Sequence, residues 1–158
     1  MLCACGVGML PAVPARCQPI PITKAYIGSD GLAHVERNGR DRAISKELGQ
    51  VAVEDLKVAS DAVGWLVEQN NCCTSYPVAT SLVIFAAGRK RVFYERQMIY
   101  DWYFLGNGEQ VALSIGPTHA GPIPHFLLYD THSGRTLQEW WGSQSNEPIP
   151  LWATGLRE

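Results

Sequence analysis

Residues 70–77 read Asn-Asn-Cys-Cys-Thr-Ser-Tyr-Pro and place two adjacent cysteines in one turn-rich stretch. Neighbouring Cα atoms lie about 3.8 Å apart, closer than an ordinary disulfide spans, so a Cys72–Cys73 bridge would lock the loop into a strained turn. The alternatives are a bond from Cys17 to one of the pair, an intermolecular bond, or thiols buried beside Trp65 and Tyr76. No Cys-x-x-Cys spacing or adjacent base is present to lower a thiol pKa, so the pair is expected to be structural rather than redox-active. His119, His125 and His132, with Asp130, form the second constellation. Three imidazoles and a carboxylate suit zinc, and a metal-binding protein or metal-dependent enzyme built on these histidines is the alternative functional reading. Their spacing matches no metal motif, and strand alternation puts His125 and Asp130 on opposite faces. Hydrolase signatures are missing: there is no Gly-x-Ser-x-Gly elbow, His-Glu-x-x-His or phosphate-binding loop, and Ser75 would need a distant histidine. Glu68, Asp101 and Asp130 are the carboxylates open to paired acid–base work, and each reads equally well as a turn or edge residue. No catalytic residue and no cofactor is expected.

The aromatic residues point to binding. Trp65, Trp102, Trp140 and Trp141, with Tyr100, Tyr103 and Tyr129, fall in or beside strand-like runs, where most such rings serve as core. Trp140 and Trp141 are consecutive on one strand and must face opposite ways, so one is expected to be exposed or covered by the C-terminal segment. Trp141, the Cys-Cys loop with Tyr76, and the loop from Thr118 to Pro124 with His119 and His125 form the expected recognition surface, since long connections between strands are where binding usually lives.

What positions these residues is a set of strands. Helical periodicity is nearly absent; the one candidate, residues 44–56, is broken by Gly49 and mixes apolar positions at both periods. Leu32–Arg37, then Asn38-Gly39, then Arg40–Ile44 is a hairpin with a two-residue turn. Three stretches resemble one another: 26–44, 58–93 and 102–140, each running strand, Asp- or Asn-containing turn, strand, connection and closing hairpin. The third carries Gly106-Asn107-Gly108, Gln110-Val111-Ala112, Leu128-Tyr129-Asp130, Ser133-Gly134-Arg135 and a closing Trp140.

This unit resembles a blade of the WD-type and TolB-type β-propellers, over roughly residues 22–142. The resemblance implies an all-β chain of about three four-stranded antiparallel blade-like units. Three units fall short of the four to eight that close a ring. The expectation is therefore an open or partial propeller or a stack of sheets capped by its termini, with Pro19–Thr23 and Pro148–Trp152 available for a fourth partial blade, or self-association of several chains. The chain also resembles an uncharacterised group of bacterial exported proteins, through its Gly64-Trp65, Cys73-Thr74-Ser75-Tyr76-Pro77 and Gln110-Val111-Ala112 stretches.

Bulk properties bound the rest. With 158 residues, 13 basic and 15 acidic, the chain fits one domain with a net charge of −2. The dense basic run Gly88-Arg89-Lys90-Arg91 is too small for a nucleic-acid footprint and reads as a solvated hairpin tip. No apolar run reaches the length of a membrane span. Residues 1–18 resemble the apolar part of a secretion signal, with a small-residue site at Val13-Pro14-Ala15 and a weak lipoprotein-like Leu2-Cys3-Ala4-Cys5, though nothing basic precedes Leu2. Residues 19–158 would then be a single periplasmic or secreted all-β domain, a non-catalytic module that binds a protein or an envelope component.

Overall fold

The computed structural model describes residues 21–72, 74–118, 124–142 and 148–156. The signal-like segment, Cys17, Cys73 and His119 lie outside the described residues.

Among the described residues, eleven strands form three antiparallel sheets in chain order. The first sheet contains β1 (Lys24–Ile27), β2 (Ala33–Arg37) and β3 (Arg40–Ala43). The second contains β4 (Gln50–Ala59), β5 (Ala62–Gln69), β6 (Val78–Ala86) and β7 (Arg89–Tyr94). The third contains β8 (Met98–Leu105), β9 (Gln110–Gly116), β10 (His125–Asp130) and β11 (Thr136–Trp141). Every sheet is a meander of consecutive strands and none closes into a barrel. The first has three strands rather than the expected four among the described residues, because residues 44–49 carry Ile44 into the core instead of pairing at the β3 edge.

The hairpin at Asn38-Gly39 forms as the residue types require. Both central residues adopt positive φ, 50° and 68°, and Arg37 pairs directly with Arg40. Residues 44–56 are not helical. Their second half is β4, whose alternation is broken by a bulge: Glu54 pairs with Leu66 but Lys57 pairs with Gly64, so Asp55 and Leu56 together oppose Trp65. Asp55 takes φ 48° to make the bulge. Val53 and Leu56 consequently both reach the first sheet, while Glu54 and Lys57 face the third.

The sheets stack face to face, with the second in the middle. Val63, Trp65, Val67, Val83 and Phe85 pack against Ala33, Val35 and Ile44 of the first sheet. From the opposite face, Leu66, Leu82 and Ile84 pack against Trp102, Val111 and Leu113 of the third. Burial on both faces explains why β5 and β6 are almost continuously apolar. The outer face of the third sheet is covered by the C-terminal segment: Leu151–Ala153 form a 3₁₀ turn, and Ala153 and Leu156 pack on Ala112, Phe126 and Leu128. Pro148–Trp152 thus caps a sheet rather than adding a strand, and at the other end Thr23 extends the β1 ladder through its N–H to Glu36 O.

The Gly88–Arg91 run is a hairpin tip, with Ala87 and Gly88 at φ 48° and 75°. All four of its residues are exposed, as expected, and two of its side chains are also tied to neighbouring elements. The Lys90 ammonium pairs with Glu47, and the Arg91 guanidinium donates to the His132 carbonyl, tying the second sheet to the last turn of the third. On the outer face of the first sheet, His34 lies between Asp41 (2.7 Å) and Asp30 (3.1 Å), and those hydrogen bonds raise its pKa. Asp30 is correspondingly lowered, chiefly by the Leu32 N–H it accepts.

Candidate functional site

At one end of the stack, the start of β6 in the second sheet and the start of β8 in the third lie side by side. Between the two sheets lies a cleft of about 550 Å³ lined by Glu54, Asp55 and Glu68 on one wall and Met98, Tyr100 and Asp101 on the other, with Tyr76 and Pro77 at its rim. Both lining strands are bulged here. On β4 the extra residue follows Glu54, and on β8 Ile99 pairs with Ile115 while Asp101 pairs with Ser114, leaving Tyr100 unopposed. Bulges re-aim side chains and recur beside functional sites; here they bring Lys57 over the core and swing Tyr100 toward the neighbouring loop.

Two of the four carboxylates converge on one ammonium. Lys57 Nζ lies 3.0 Å from Asp55 Oδ2 and 3.1 Å from Asp101 Oδ1, donates to the Trp102 carbonyl, and sits 5.0 Å from the Trp102 ring centre. Asp101 is 8% exposed and its Oδ1 also accepts the Trp102 N–H at 2.8 Å. Glu54 and Glu68 lie on the same face of the β4–β5 ladder and have no cation within ion-pairing distance among the described residues. Partial burial is the main cause that raises the Glu54 pKa, followed by the negative charges of Glu68 and Asp55. The cleft lining is therefore anionic, and Lys57 beside it is committed to Asp55 and Asp101.

Tyr76 is 53% exposed on the rim. Its loop is held by a Thr74 Oγ1 hydrogen bond to Tyr76 O (2.6 Å), and Cys72 is exposed beside it. Tyr100 donates to the Pro117 carbonyl at 2.5 Å and fills the space over Gly116, where a Cβ would meet its ring at 2.6 Å. That hydrogen bond joins the cleft to the residue before Thr118, so Tyr76 and Thr118 stand at the same end of the molecule, linked through Tyr100.

His125 and Trp141 meet directly. They are cross-strand partners, and their rings stack at 3.5 Å with a 19° interplanar angle. Glu139 Oε1 receives both His125 Nε2 (2.8 Å) and Trp141 Nε1 (2.9 Å). The neighbouring Tyr129 hydroxyl donates to Glu95 at 2.6 Å, and burial first, then that carboxylate, raises the Tyr129 pKa strongly. Trp140 faces the other way, stacks on Phe126 and is covered by the C-terminal segment, as alternation requires. Trp141 is half-buried by its stack on His125, whereas Tyr76 on the cleft rim is exposed.

His132 sits in the turn after β10, at the far end of that strand from His125. At about 3.3 Å per residue the two imidazoles are too far apart to share an ion. Among the described residues no three metal-ligating side chains converge. Of the three carboxylates considered from sequence for acid–base work, Glu68 and Asp101 do line one cleft. Asp130 does not join them; its Oδ1 caps the turn through Ser133 N (2.6 Å) and Oγ (2.7 Å). Sequence reasoning missed Glu54 and Asp55, because the bulge that turns Glu54 into the cleft also erased the alternation that would have revealed it.

No helix among the described residues is long and apolar enough to cross a membrane. No protein-family model and no curated protein matches the chain.

Proposed function

We propose that this protein is an exported, non-catalytic binding module of propeller-blade-like sheets, and that its loop-end cleft takes up a lysine- or arginine-bearing segment of a protein partner. The observation that carries this reading is the pairing of an exposed tyrosine with carboxylates that have no internal cation. Tyr76 stands at the rim of a cleft whose Glu54 and Glu68 lack a basic partner among the described residues. A cationic side chain entering there would meet two carboxylates and an aromatic face, each favourable to a positive charge. The blade-like character is supported by three consecutive meanders packed in chain order.

The test is calorimetric titration with a lysine-rich decapeptide against a glutamate-rich one of equal length. The lysine peptide should bind and the glutamate peptide should not. Tyr76→Ala and Glu68→Gln should each weaken binding by about fivefold or more, the scale of one cation–π contact or one charge-assisted hydrogen bond. Because cations favour the ionised carboxylate, affinity should climb as pH rises through the elevated Glu54 pKa and level off above it. Equal binding of both peptides, or binding indifferent to Tyr76→Ala and Glu68→Gln, would remove the cleft from the account.

Export carries its own consequence for the Cys72-Cys73 pair, since an oxidising compartment would leave the two thiols joined to a cysteine. Alkylation of the purified, natively exported protein in denaturant without reductant should then add no mass at either position. Two added labels would argue for a reducing compartment and against the export reading.

A further inference from the structure

A second cleft, of about 520 Å³, opens on the opposite face of the middle sheet and toward the other end of β5 and β6. It lies between the Asn38-Gly39 and Ala87-Gly88 hairpin tips. The residues that matter in it are Arg37, Arg40, Arg42 and Phe85. Their convergence follows from the register. Val35 is 2% exposed in the core between the first two sheets, so its face of the first sheet is the inner one. Arg37 is two residues along on the same face, Arg42 pairs across from Val35, and Arg40 pairs across from Arg37. All three guanidiniums are thus sent into the gap between sheets. Arg37 and Arg42 lie 5.8 and 5.3 Å from the ring centre of Phe85.

None of these charges is answered by a carboxylate. No acidic group of the described residues lies within ion-pairing distance of any of the three. The nearby acids are spent elsewhere: Asp41 projects to the outer face onto His34, and Glu47 pairs with Lys90. Arg37 donates through Nη2 to the Asp61 backbone carbonyl at 2.9 Å, and its Nε is buried with no hydrogen-bond partner. Directly opposed like charges, as at Arg37 and Arg40, weaken a ladder. Inward-facing cations on an edge strand do discourage sheet-to-sheet aggregation, which would account for Arg40 and Arg42 on β3. That explanation leaves out Arg37, which is on the central strand, its orphaned Nε, and the aromatic floor.

We infer that the cleft between the first two sheets is a binding site for a small polyanion, with Arg37, Arg40 and Arg42 as its anion-binding groups. The ligand would carry two or more carboxylate or phosphate groups. Planar guanidiniums match those groups bidentately, and the cleft volume falls in the range of small-molecule sites. Phe85 orients two of the guanidiniums from below while leaving their N–H edges available.

Citrate and pyrophosphate are the probes, titrated by calorimetry at constant ionic strength against sodium chloride as the blank. Saturable one-to-one binding with a sub-millimolar Kd is expected for at least one of them, together with a rise in Tm on saturation. Arg42→Gln and Arg40→Gln should each weaken that binding tenfold or more. Arg40→Gln should leave the ligand-free Tm unchanged or higher, because it relieves a like-charge pair, which separates loss of the site from loss of the fold. Arg135→Gln, on the third sheet, should bind as the parent does. Absence of saturable binding below 10 mM for both probes, or affinity unchanged in Arg40→Gln and Arg42→Gln, would overturn the assignment.

Discussion

Trp102→Ala should lower the unfolding free energy by about 3–5 kcal/mol, the cost of emptying a large aromatic site in a packed core. Domains of this size are stable by only about 5–15 kcal/mol, so the variant should melt on the order of 10 °C or more below the parent. The reason is position. Trp102 is fully buried on the central contact between the second and third sheets, touching Ile84 and Leu66 across the interface and standing edge-on to Phe104 at 5.1 Å. Its ring also carries the Lys57 ammonium that organises Asp55 and Asp101, so emptying the site loosens the wall of the acidic cleft as well as the core. Its indole N–H is buried with no partner, so Trp102→Phe sacrifices volume but no hydrogen bond and should cost clearly less. Circular dichroism melts of the two variants beside the parent would check both. Near-equal Tm values for parent and Trp102→Ala would mean the second and third sheets are not held by this contact.

Gly64→Val should be nearly as damaging from the opposite direction. A Cβ at Gly64 would fall 2.6 Å from Ile84 Cδ1 and 2.7 Å from Trp102 Cη2, distances that real Cβ atoms do not tolerate. Ile84 can turn its terminal methyl aside, but the Trp102 ring is walled in and must move the β8 backbone with it. Overpacking of this kind costs about 1–3 kcal/mol, and the strand preference of valine recovers only part of it. Because the clash is with the tryptophan, Gly64→Val combined with Trp102→Phe should be less destabilised than the sum of the two single changes. That non-additivity is the signature of direct contact. Additive losses would place the strain elsewhere.

Much of the architecture can be read from particular residues. Asn38-Gly39 announced its hairpin because few other dipeptides accept positive φ twice, and the continuous apolar runs of β5 and β6 announced a sheet covered on both faces. Trp140 and Trp141 had to diverge by alternation alone. What each met, the C-terminal segment or His125, depended on packing that no local pattern encodes. β4 was illegible for a specific reason: the αL residue Asp55 shifts the apolar positions from 51 and 53 to 56 and 58, and neither period survives the shift.

The two clefts differ in the same respect. Arg37, Arg40 and Arg42 were within reach of sequence reasoning, since a two-residue turn dictates that Arg37 opposes Arg40 and that Arg42 follows on the same face. Their significance was hidden by the near-neutral charge of the whole chain. The carboxylates of the other cleft come from β4, β5 and β8, and only the stacking of the second sheet on the third assembles them. Opposite charge on opposite faces of one sheet is a property of the fold rather than of composition.

The binding of a cationic segment at the loop end is tested most directly by titrating ¹⁵N-labelled protein with the lysine-rich decapeptide and following every backbone amide. The expected result is a saturable set of shifts confined to Glu54, Glu68, Tyr76 and Met98–Asp101, absent with the glutamate-rich peptide and lost in Tyr76→Ala. Shifts spread evenly over the acidic surface, or centred away from Tyr76, would contradict it.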